Sequence, residues 1–148
     1  MGAGLVTRAQ THWEAIQPEK VMDMLQCLII ASDEDDRRQL ACLLKPYGFE
    51  LALVEDADQA MAVCKMRLPD LVVMPEIIEG IESSDIIRDI HRTRESRRPK
   101  VLVYSDSPEA GQIGRAIWSG AAECFVKPFD ASIIDLKLRQ VGAVQGRG

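Results

Sequence analysis

Two kinds of hydrophobic pattern alternate along this chain. Short, mainly apolar segments, as expected for strands buried on both faces of a parallel sheet, lie at residues 27–31, 50–54, 71–74, 100–104 and 124–126, and two of them begin with a charged residue, Glu50 and Lys100. Between these runs apolar residues recur at intervals of three and four, which predicts helices. The chain from residue 26 to residue 142 is therefore predicted to alternate between strands and helices.

The predicted helices begin at capping residues and end near glycine or proline. They cover about residues 35–45 and 57–67, a segment capped by Ser83 or Ser84, residues 107–120, and a last helix from Asp130. In the last helix, the predicted inward side chains are Ile133, Ile134 and Leu138. Strands joined by crossover helices indicate right-handed βαβ units in an α/β fold. We predict a flavodoxin-like, doubly wound sheet of five parallel strands in the order 2-1-3-4-5.

Residues 1–25 lie outside this pattern and are predicted to be an N-terminal helical extension. Ala9, Trp13 and Ile16 share one helical face, so the segment is a helix packed on its own domain, a partly ordered tail, or a docking or dimerising element with Trp13 as its contact residue. The predicted organisation is this extension, a domain over residues 26–142 and a short tail at residues 143–148.

Composition excludes several classes of function. The chain has 148 residues, 47% of them hydrophobic, and a net charge of −5, as in an ordinary soluble domain without a general affinity for nucleic acid. No apolar run is long enough for a membrane span and no secretory signal is visible, so we expect a cytoplasmic protein. The cysteines lie in apolar periodic segments without metal-ligand spacing, and we expect reduced, buried thiols. They are Cys27, Cys42, Cys64 and Cys124.

Polar and unusual residues follow the ends of the predicted strands. The third strand ends at Pro75, before an acidic, glycine-containing loop. Ser105 follows 30 residues later at the end of the fourth strand, and Lys127 follows 22 residues after that, at the end of the fifth. In open α/β sheets, sites lie at the carboxyl ends of the strands, so these residues are the candidate site.

This spacing, with Lys-Pro-Phe-Asp at 127–130, resembles the receiver domain of two-component response regulators, the CheY-like family. The resemblance runs from about residue 27 to residue 141. It implies an acidic pair that holds magnesium at the end of the first strand and a phosphate-accepting aspartate at the end of the third. It further implies a hydroxyl for the phosphoryl oxygens and a lysine that neutralises charge. Ser105 and Lys127 match the hydroxyl and the lysine.

The remaining positions depart from the family pattern. Ala31 and Ser32 stand at the acidic pair, leaving Asp33 as an acid that can hardly hold magnesium alone, and Pro75 stands at the acceptor position. The sequence therefore predicts a degenerate pseudo-receiver, a non-enzyme without catalytic residue, metal or cofactor, that signals by phosphorylation-independent protein contacts. Lys127 is expected to form a constitutive ion pair with Asp33 or Glu76.

Two alternatives remain. A conventional phosphorylated receiver could use Glu76 as a displaced acceptor, but adjacent strand residues point to opposite sides, so Glu76 is expected to point away from Ser105 and Lys127. A flavodoxin-like ligand-binding or enzyme domain is disfavoured because the turn at residues 31–36 has no glycine-rich phosphate loop.

Further departures concern switching and surfaces. Cys124 stands where receivers commonly carry the Tyr or Phe that reports phosphorylation, and we interpret it as a small apolar filler. Trp118 lies beside the inward stripe of the fourth predicted helix and is an interface candidate. It would act on the face of the fourth helix, fifth strand and fifth helix, for a protein partner or a homodimer. The basic stretch at residues 88–100 reads as a solvated face or a site for an acidic partner, with no membrane or nucleic-acid role expected.

Overall fold

The computed structural model describes residues 25–93, 98–106 and 120–143 of the chain. The strands are β1 (Gln26–Ile30), β2 (Glu50–Val54), β3 (Leu71–Pro75), β4 (Ile77–Ile78), β5 (Ile81–Glu82), β6 (Lys100–Ser105) and β7 (Glu123–Val126). The α-helices are α1 (Glu34–Leu44), α2 (Ala57–Met66), α3 (Ser83–Thr93) and α4 (Ala131–Gln140), and a 3-10 turn covers Lys45–Tyr47. The predicted N-terminal helices and most of the helix at 107–120 lie outside the described residues.

The main sheet has five strands in the order β2-β1-β3-β6-β7. Every neighbouring pair in it is parallel, and β3 and β6 pair from Leu71↔Lys100 to Pro75↔Tyr104. This is the predicted 2-1-3-4-5 order, so the flavodoxin-like fold is confirmed. The continuous apolar runs cause this arrangement, because a parallel sheet covered on both faces excludes polar side chains from its strands.

Two apolar clusters bury the two faces of the sheet. One contains residues of α2 and α3, with Ala60, Cys64 and Ile87 against alternate sheet positions such as Leu28 and Val72. The other contains residues of α1 and α4, with positions such as Ile29 and Leu102. Alternation along each strand sends neighbouring side chains to opposite faces, so each strand contributes to both clusters.

The helix starts follow the predicted chemistry. Asp33 caps α1 by accepting a hydrogen bond from the backbone N–H of Asp35 at 2.8 Å, and Asp130 caps α4 in the same way. In α4, Ile134 and Leu138 are buried, but the inward assignment of Ile133 is wrong because its side chain is 39% exposed. Ile134 and Leu138 form the centre of the apolar stripe on α4, and Ile133 lies at the edge of this stripe, where the helix surface meets solvent.

The expectation of buried thiols holds for two cysteines. Cys27 and Cys64 are buried, Cys124 is half-buried, and Cys42 is exposed on α1. The prediction for Cys42 is wrong because its position on α1 lies outside the stripe formed by Leu40 and Leu44, which are buried.

A small antiparallel hairpin was not predicted. Its strands β4 and β5 pair Ile78 with Ile81, and the turn between them contains Glu79 at φ 49° and Gly80 at φ 84°. Glycine adopts such positive φ values at little cost, and this residue was the available sequence signal for the turn. The hairpin matters for the site because it follows Pro75 directly. None of the helices in the described ranges is long and apolar enough to cross a bilayer.

Candidate functional site

A cleft of about 320 Å³ lies where the strands of the main sheet end at their carboxyl edge. Its lining combines acids, hydroxyls and one lysine. The lining residues are Ser32, Asp33, Asp36, Pro75, Glu76, Ile77, Tyr104, Ser105, Asp106 and Lys127. The structure thus brings together Ser32, Asp33, Pro75, Ser105 and Lys127 at one site, as the spacing along the chain implied.

Backbone pairing fixes the strand ends around this cleft. Pro75 is the last residue of β3 and pairs in register with Tyr104 of β6. Lys127 follows β7, and its backbone N–H donates to the carbonyl of Ser105 at 2.9 Å. Pro75 has no backbone N–H to offer, and the next N–H, that of Glu76, donates to the Tyr104 carbonyl at 2.9 Å. Pro75 therefore ends β3 while the Tyr104 carbonyl of the neighbouring strand β6 still has a hydrogen-bond donor.

Lys127 pairs with an acid that the sequence analysis did not select. Its Nζ lies 2.9 Å from Oδ1 of Asp36 and 3.5 Å from Oδ1 of Asp106. The hydrogen bond to Asp36 raises the pKa of Lys127 above its ordinary value, against the opposing effect of desolvation. The expected partners, Asp33 and Glu76, are therefore wrong. Asp33 caps α1, while Asp36, one turn later, lies within reach of the lysine.

Glu76 also differs from expectation. Its Oε1 accepts a hydrogen bond from the Ser105 hydroxyl at 2.9 Å, so the argument that Glu76 points away from Ser105 is wrong. Strand alternation does not apply here because β3 ends at Pro75 and the chain turns into the hairpin. The Glu76 carbonyl accepts from the Ser83 N–H at 2.8 Å, which fastens this turn to the start of α3.

Tyr104 adds a buried phenol beneath the charged groups. Burial raises its pKa, and the nearby carboxylates of Asp36, Asp33 and Asp106 raise it further. Tyr104 also packs edge-on against Phe129, with ring centroids 5.0 Å apart. The phenol therefore stays protonated under ordinary conditions and supports the cleft from its apolar side.

The residues at the magnesium position of a receiver do not fit that ion. Ala31 offers no side-chain oxygen and is buried, and its carbonyl accepts a hydrogen bond from Nη1 of Arg37 at 2.6 Å. The carboxylate of Asp36 is engaged by Lys127. Within the described ranges, no three side chains of His, Cys, Asp or Glu converge as a metal site. A hard cation needs several oxygen ligands, and here the Arg37 guanidinium occupies the Ala31 carbonyl while the Lys127 ammonium pairs with the Asp36 carboxylate.

Cys124 lies on β7 and packs at the edge of the cluster formed with α2 and α3. Burial raises the pKa of its thiol to about 11, which keeps it as the unreactive thiol at neutral pH. Trp118 and Trp13 lie outside the described residues.

Sequence reasoning missed Asp36, Tyr104 and Asp106 as parts of the cleft. The sequence signal for Asp36 was its place in the acidic first turn of the helix after β1. The signal for Tyr104 and Asp106 was that they are the sequence neighbours of Ser105, which had been selected.

Comparison with known proteins assigns this arrangement to a family. A family model, the response regulator receiver domain, matches residues 27–139. The chain is 25% identical over 118 residues to the transcriptional regulatory protein AfsQ1 of Streptomyces coelicolor, covering 80% of this chain and 51% of that protein. It is 26% identical over 107 residues to the phosphate regulon transcriptional regulatory protein PhoB of Rhizobium meliloti, covering 72% and 47%. The chain thus spans about half the length of these curated relatives.

Solved structures agree on the fold. The signal receiver domain of an HD domain-containing protein from Pseudomonas fluorescens superposes with a TM-score of 0.72 at 26% identity, covering 81% of this chain and 95% of that one. The beryllium-fluoride-activated DrrB receiver domain superposes with a TM-score of 0.71 at 14% identity, covering 82% and 99%.

Proposed function

The chain belongs to the response regulator receiver domain family of two-component signalling, and we propose that it is a pseudo-receiver whose output does not depend on phosphorylation. The observation that carries this proposal is Pro75 at the end of β3, in the cleft where the family resemblance places the acceptor aspartate. Its ring has no oxygen that could attack a phosphoryl group. Ala31 at the metal position supports the same conclusion, since phosphoryl transfer requires a cation to neutralise developing charge.

The two groups that would respond to a phosphoryl group are already engaged. Ser105 donates to Glu76, and Lys127 pairs with Asp36. Both partners are carboxylates supplied by the chain itself. The carboxylates of Glu76 and Asp36 therefore take the place that phosphoryl oxygens would occupy in a phosphorylated receiver. They favour a single arrangement of Ser105 and Lys127 in the absence of phosphorylation.

We place the function on protein contacts rather than on catalysis, in the cytoplasm and without a cofactor. On α4, Ile133 and Leu136 are exposed apolar side chains. Ile133 lies one turn before Lys137, which pairs with Glu123 of β7 at 2.8 Å. Ile133 therefore lies on the side of α4 that carries Lys137, toward β7, and this side belongs to the face predicted for a partner or a second copy.

A second candidate function is favoured by one observation. Glu76 carries its carboxylate into the cleft, 2.9 Å from the Ser105 hydroxyl. A displaced acceptor would attack the phosphorus of acetyl phosphate through a Glu76 oxygen and release acetate, leaving an acyl phosphate. The lack of fit for magnesium and the ion pair that occupies Lys127 disfavour this chemistry.

Incubation of the full chain with magnesium and acetyl phosphate separates the two candidates. We expect no phosphorylated species by intact mass, and beryllium fluoride should leave the amide resonances around Ser105 and Lys127 unmoved. A conventional receiver treated in parallel verifies the reagents.

The Glu76→Gln variant interprets a positive result. Phosphorylation of the natural chain that disappears in Glu76→Gln would establish the displaced acceptor. Phosphorylation that persists in the variant would place the acceptor elsewhere and overturn both candidates.

A further inference from the structure

A second depression, with a different set of lining residues from the cleft, lies beside the edge strand β2. It has a volume of about 640 Å³, within the range of about 300–1,000 Å³ usual for binding pockets. Residues of α1, including Arg38 and Cys42, form one wall together with Lys45 of the 3-10 turn. Phe49, Leu51 and Leu53 form the other. We call this depression the β2 groove.

The β2 groove is apolar at its base and charged along its rim. Phe49 just before β2, and Leu51 and Leu53 on it, alternate along the chain and so face the same side of the sheet. Phe49 is buried, but Leu53 is 48% exposed. Since β2 is an edge strand, no further strand or described helix continues the layer beyond Leu53. The rim contains the acid Glu34 and three cations. Arg37 and Arg38 are paired with acids, whereas Lys45 forms no ion pair among the described residues and is the cation that a partner could use.

The chain enters the domain at the end of this groove. The backbone N–H of Glu50, the first residue of β2, donates to the carbonyl of Leu25 at 2.8 Å. The side chain of Leu25 packs on the same cluster as Phe49 and Leu51. Residues 1–24 are therefore tethered at one end of the groove, which gives them a high effective concentration there.

The sequence of this N-terminal segment fits the groove in reach, polarity and charge. Trp13 and Ile16 supply large apolar side chains with helical spacing. From Leu25 to Trp13 a helical path covers about 18 Å, whereas β2 from Glu50 to Leu53 extends about 10 Å. Trp13 can therefore reach Leu53. The segment contains three acids and two basic residues, and the acids Glu14 and Glu19 lie close to these apolar residues in sequence, where one of them can pair with Lys45.

We propose that the N-terminal segment, residues 1–24, binds in the β2 groove of its own domain with Trp13 as the anchor over Leu53. This surface is distinct from the face that carries Ile133 and Leu136. The inference stands independently of whether the cleft is phosphorylated.

Tryptophan fluorescence of the full chain tests the inference, in a Trp118→Phe background that leaves Trp13 as the only tryptophan. We expect a blue-shifted emission maximum and protection from acrylamide quenching. Leu53→Asp should shift the emission to the red and increase quenching, since the loss of a tryptophan anchor weakens binding by at least roughly tenfold. Met66→Asp is the matched control, because Met66 is an exposed apolar residue on α2, away from the groove, and it should leave Trp13 unchanged.

The exposed thiol of Cys42 gives a second readout that does not alter the groove. With the N-terminal segment bound, Cys42 should react slowly with an aromatic disulfide reagent, followed by peptide mapping. Trp13→Asp should raise its rate by at least about threefold, as expected when a docking equilibrium is lost. The reactivity of Cys42 in Trp13→Asp still tests the inference if circular dichroism shows that Leu53→Asp does not fold.

Three results would overturn the inference. Trp13 could emit like a fully solvated indole in the natural chain. Its protection could persist in folded Leu53→Asp, which would place it elsewhere on the domain. Its protection could also disappear on dilution, which would show that the occupant of the groove comes from a second copy.

Discussion

In the middle of β1, β3 and β6 the side chains are apolar and fully buried, whereas charged and hydroxyl side chains at the carboxyl edge of the same sheet line the cleft. Leu28, Val72 and Leu102 have no exposed surface. At the edge, Ser105 donates a hydrogen bond to Glu76 and Lys127 forms an ion pair with Asp36. The interior depends on apolar burial, and the edge depends on the pairing of specific polar atoms.

Under the proposal of a pseudo-receiver, this difference explains how a receiver fold would lose receiver chemistry. The strand interiors fill both apolar clusters. Pro75 in place of an acceptor and Ala31 in place of an acid would change side chains at the edge only. The consequences of such replacements are therefore chemical and leave the topology intact.

The largest expected effect is a cavity in the interior. Leu102→Ala should lower the free energy of unfolding by about 3–4 kcal/mol, because Leu102 is fully buried in a central strand. Leu53→Ala makes the same chemical change on the half-exposed edge strand and should cost about 1 kcal/mol. Urea denaturation measures both. Equal costs would show that the edge is as tightly packed as the interior.

An intermediate effect is expected at the cleft. Lys127→Met removes the partner of Asp36, whose side chain is only 13% exposed, and should cost about 1–2 kcal/mol. The double variant Lys127→Met with Asp36→Leu should recover most of this loss, since no unpaired charge remains. Thermal and urea unfolding of the three proteins give the comparison. A cost as large as that of Leu102→Ala, without recovery in the double variant, would assign the cleft a structural role comparable to the interior.

A smaller effect concerns a half-buried imidazole outside the cleft. Desolvation, and then the charge of Arg98, lower the pKa of His91 on α3, while a hydrogen bond to the Pro99 carbonyl opposes them. Its Nε2 has no hydrogen-bond partner among the described residues. Because the pKa of His91 is lower in the folded than in the unfolded protein, the folded protein binds this proton less tightly. The stability that His91 contributes is therefore present above the unfolded value of about 6.5 and is lost as pH falls through the folded value.

Solvent screening of this half-buried group should keep the effect below about 1 kcal/mol. The free energy of unfolding, measured by urea titration between about pH 7.5 and pH 5, should fall less in His91→Gln than in the natural chain. An identical fall in both proteins would assign the pH dependence to other groups.

The smallest effect on stability is expected on the surface. Trp118→Ala should barely change the melting temperature, while self-association or partner capture weakens by roughly 2 kcal/mol if Trp118 is an interface anchor. Analytical ultracentrifugation and melting curves measure the two properties. A collapse of the melting temperature would place Trp118 in the interior, and no change in either property would move the interface to another surface, the basic stretch at residues 88–100 being the next to test.

The sequence by itself determined the positions of the five main-sheet strands to within about a residue and the gathering of Pro75, Ser105 and Lys127 at one edge. These features follow from local periodicity and from the rule that parallel strands end at the same edge, whereas the strand order followed from the choice of a flavodoxin-like fold. As to side-chain direction, predicting these features requires only that side chains alternate between the two faces of a strand.

Only the tertiary structure decided which polar atoms meet in the cleft. Lys127 selects Asp36, 91 positions away in sequence, and Ser105 selects Glu76, where the chain has already left β3. The exposure of Cys42 and Ile133 likewise depends on how far each helix rotates against the sheet. Periodicity identifies a helix face only to within about one residue position, whereas a hydrogen bond or ion pair requires atoms to approach within about 3 Å, and only packing of the complete fold provides that precision.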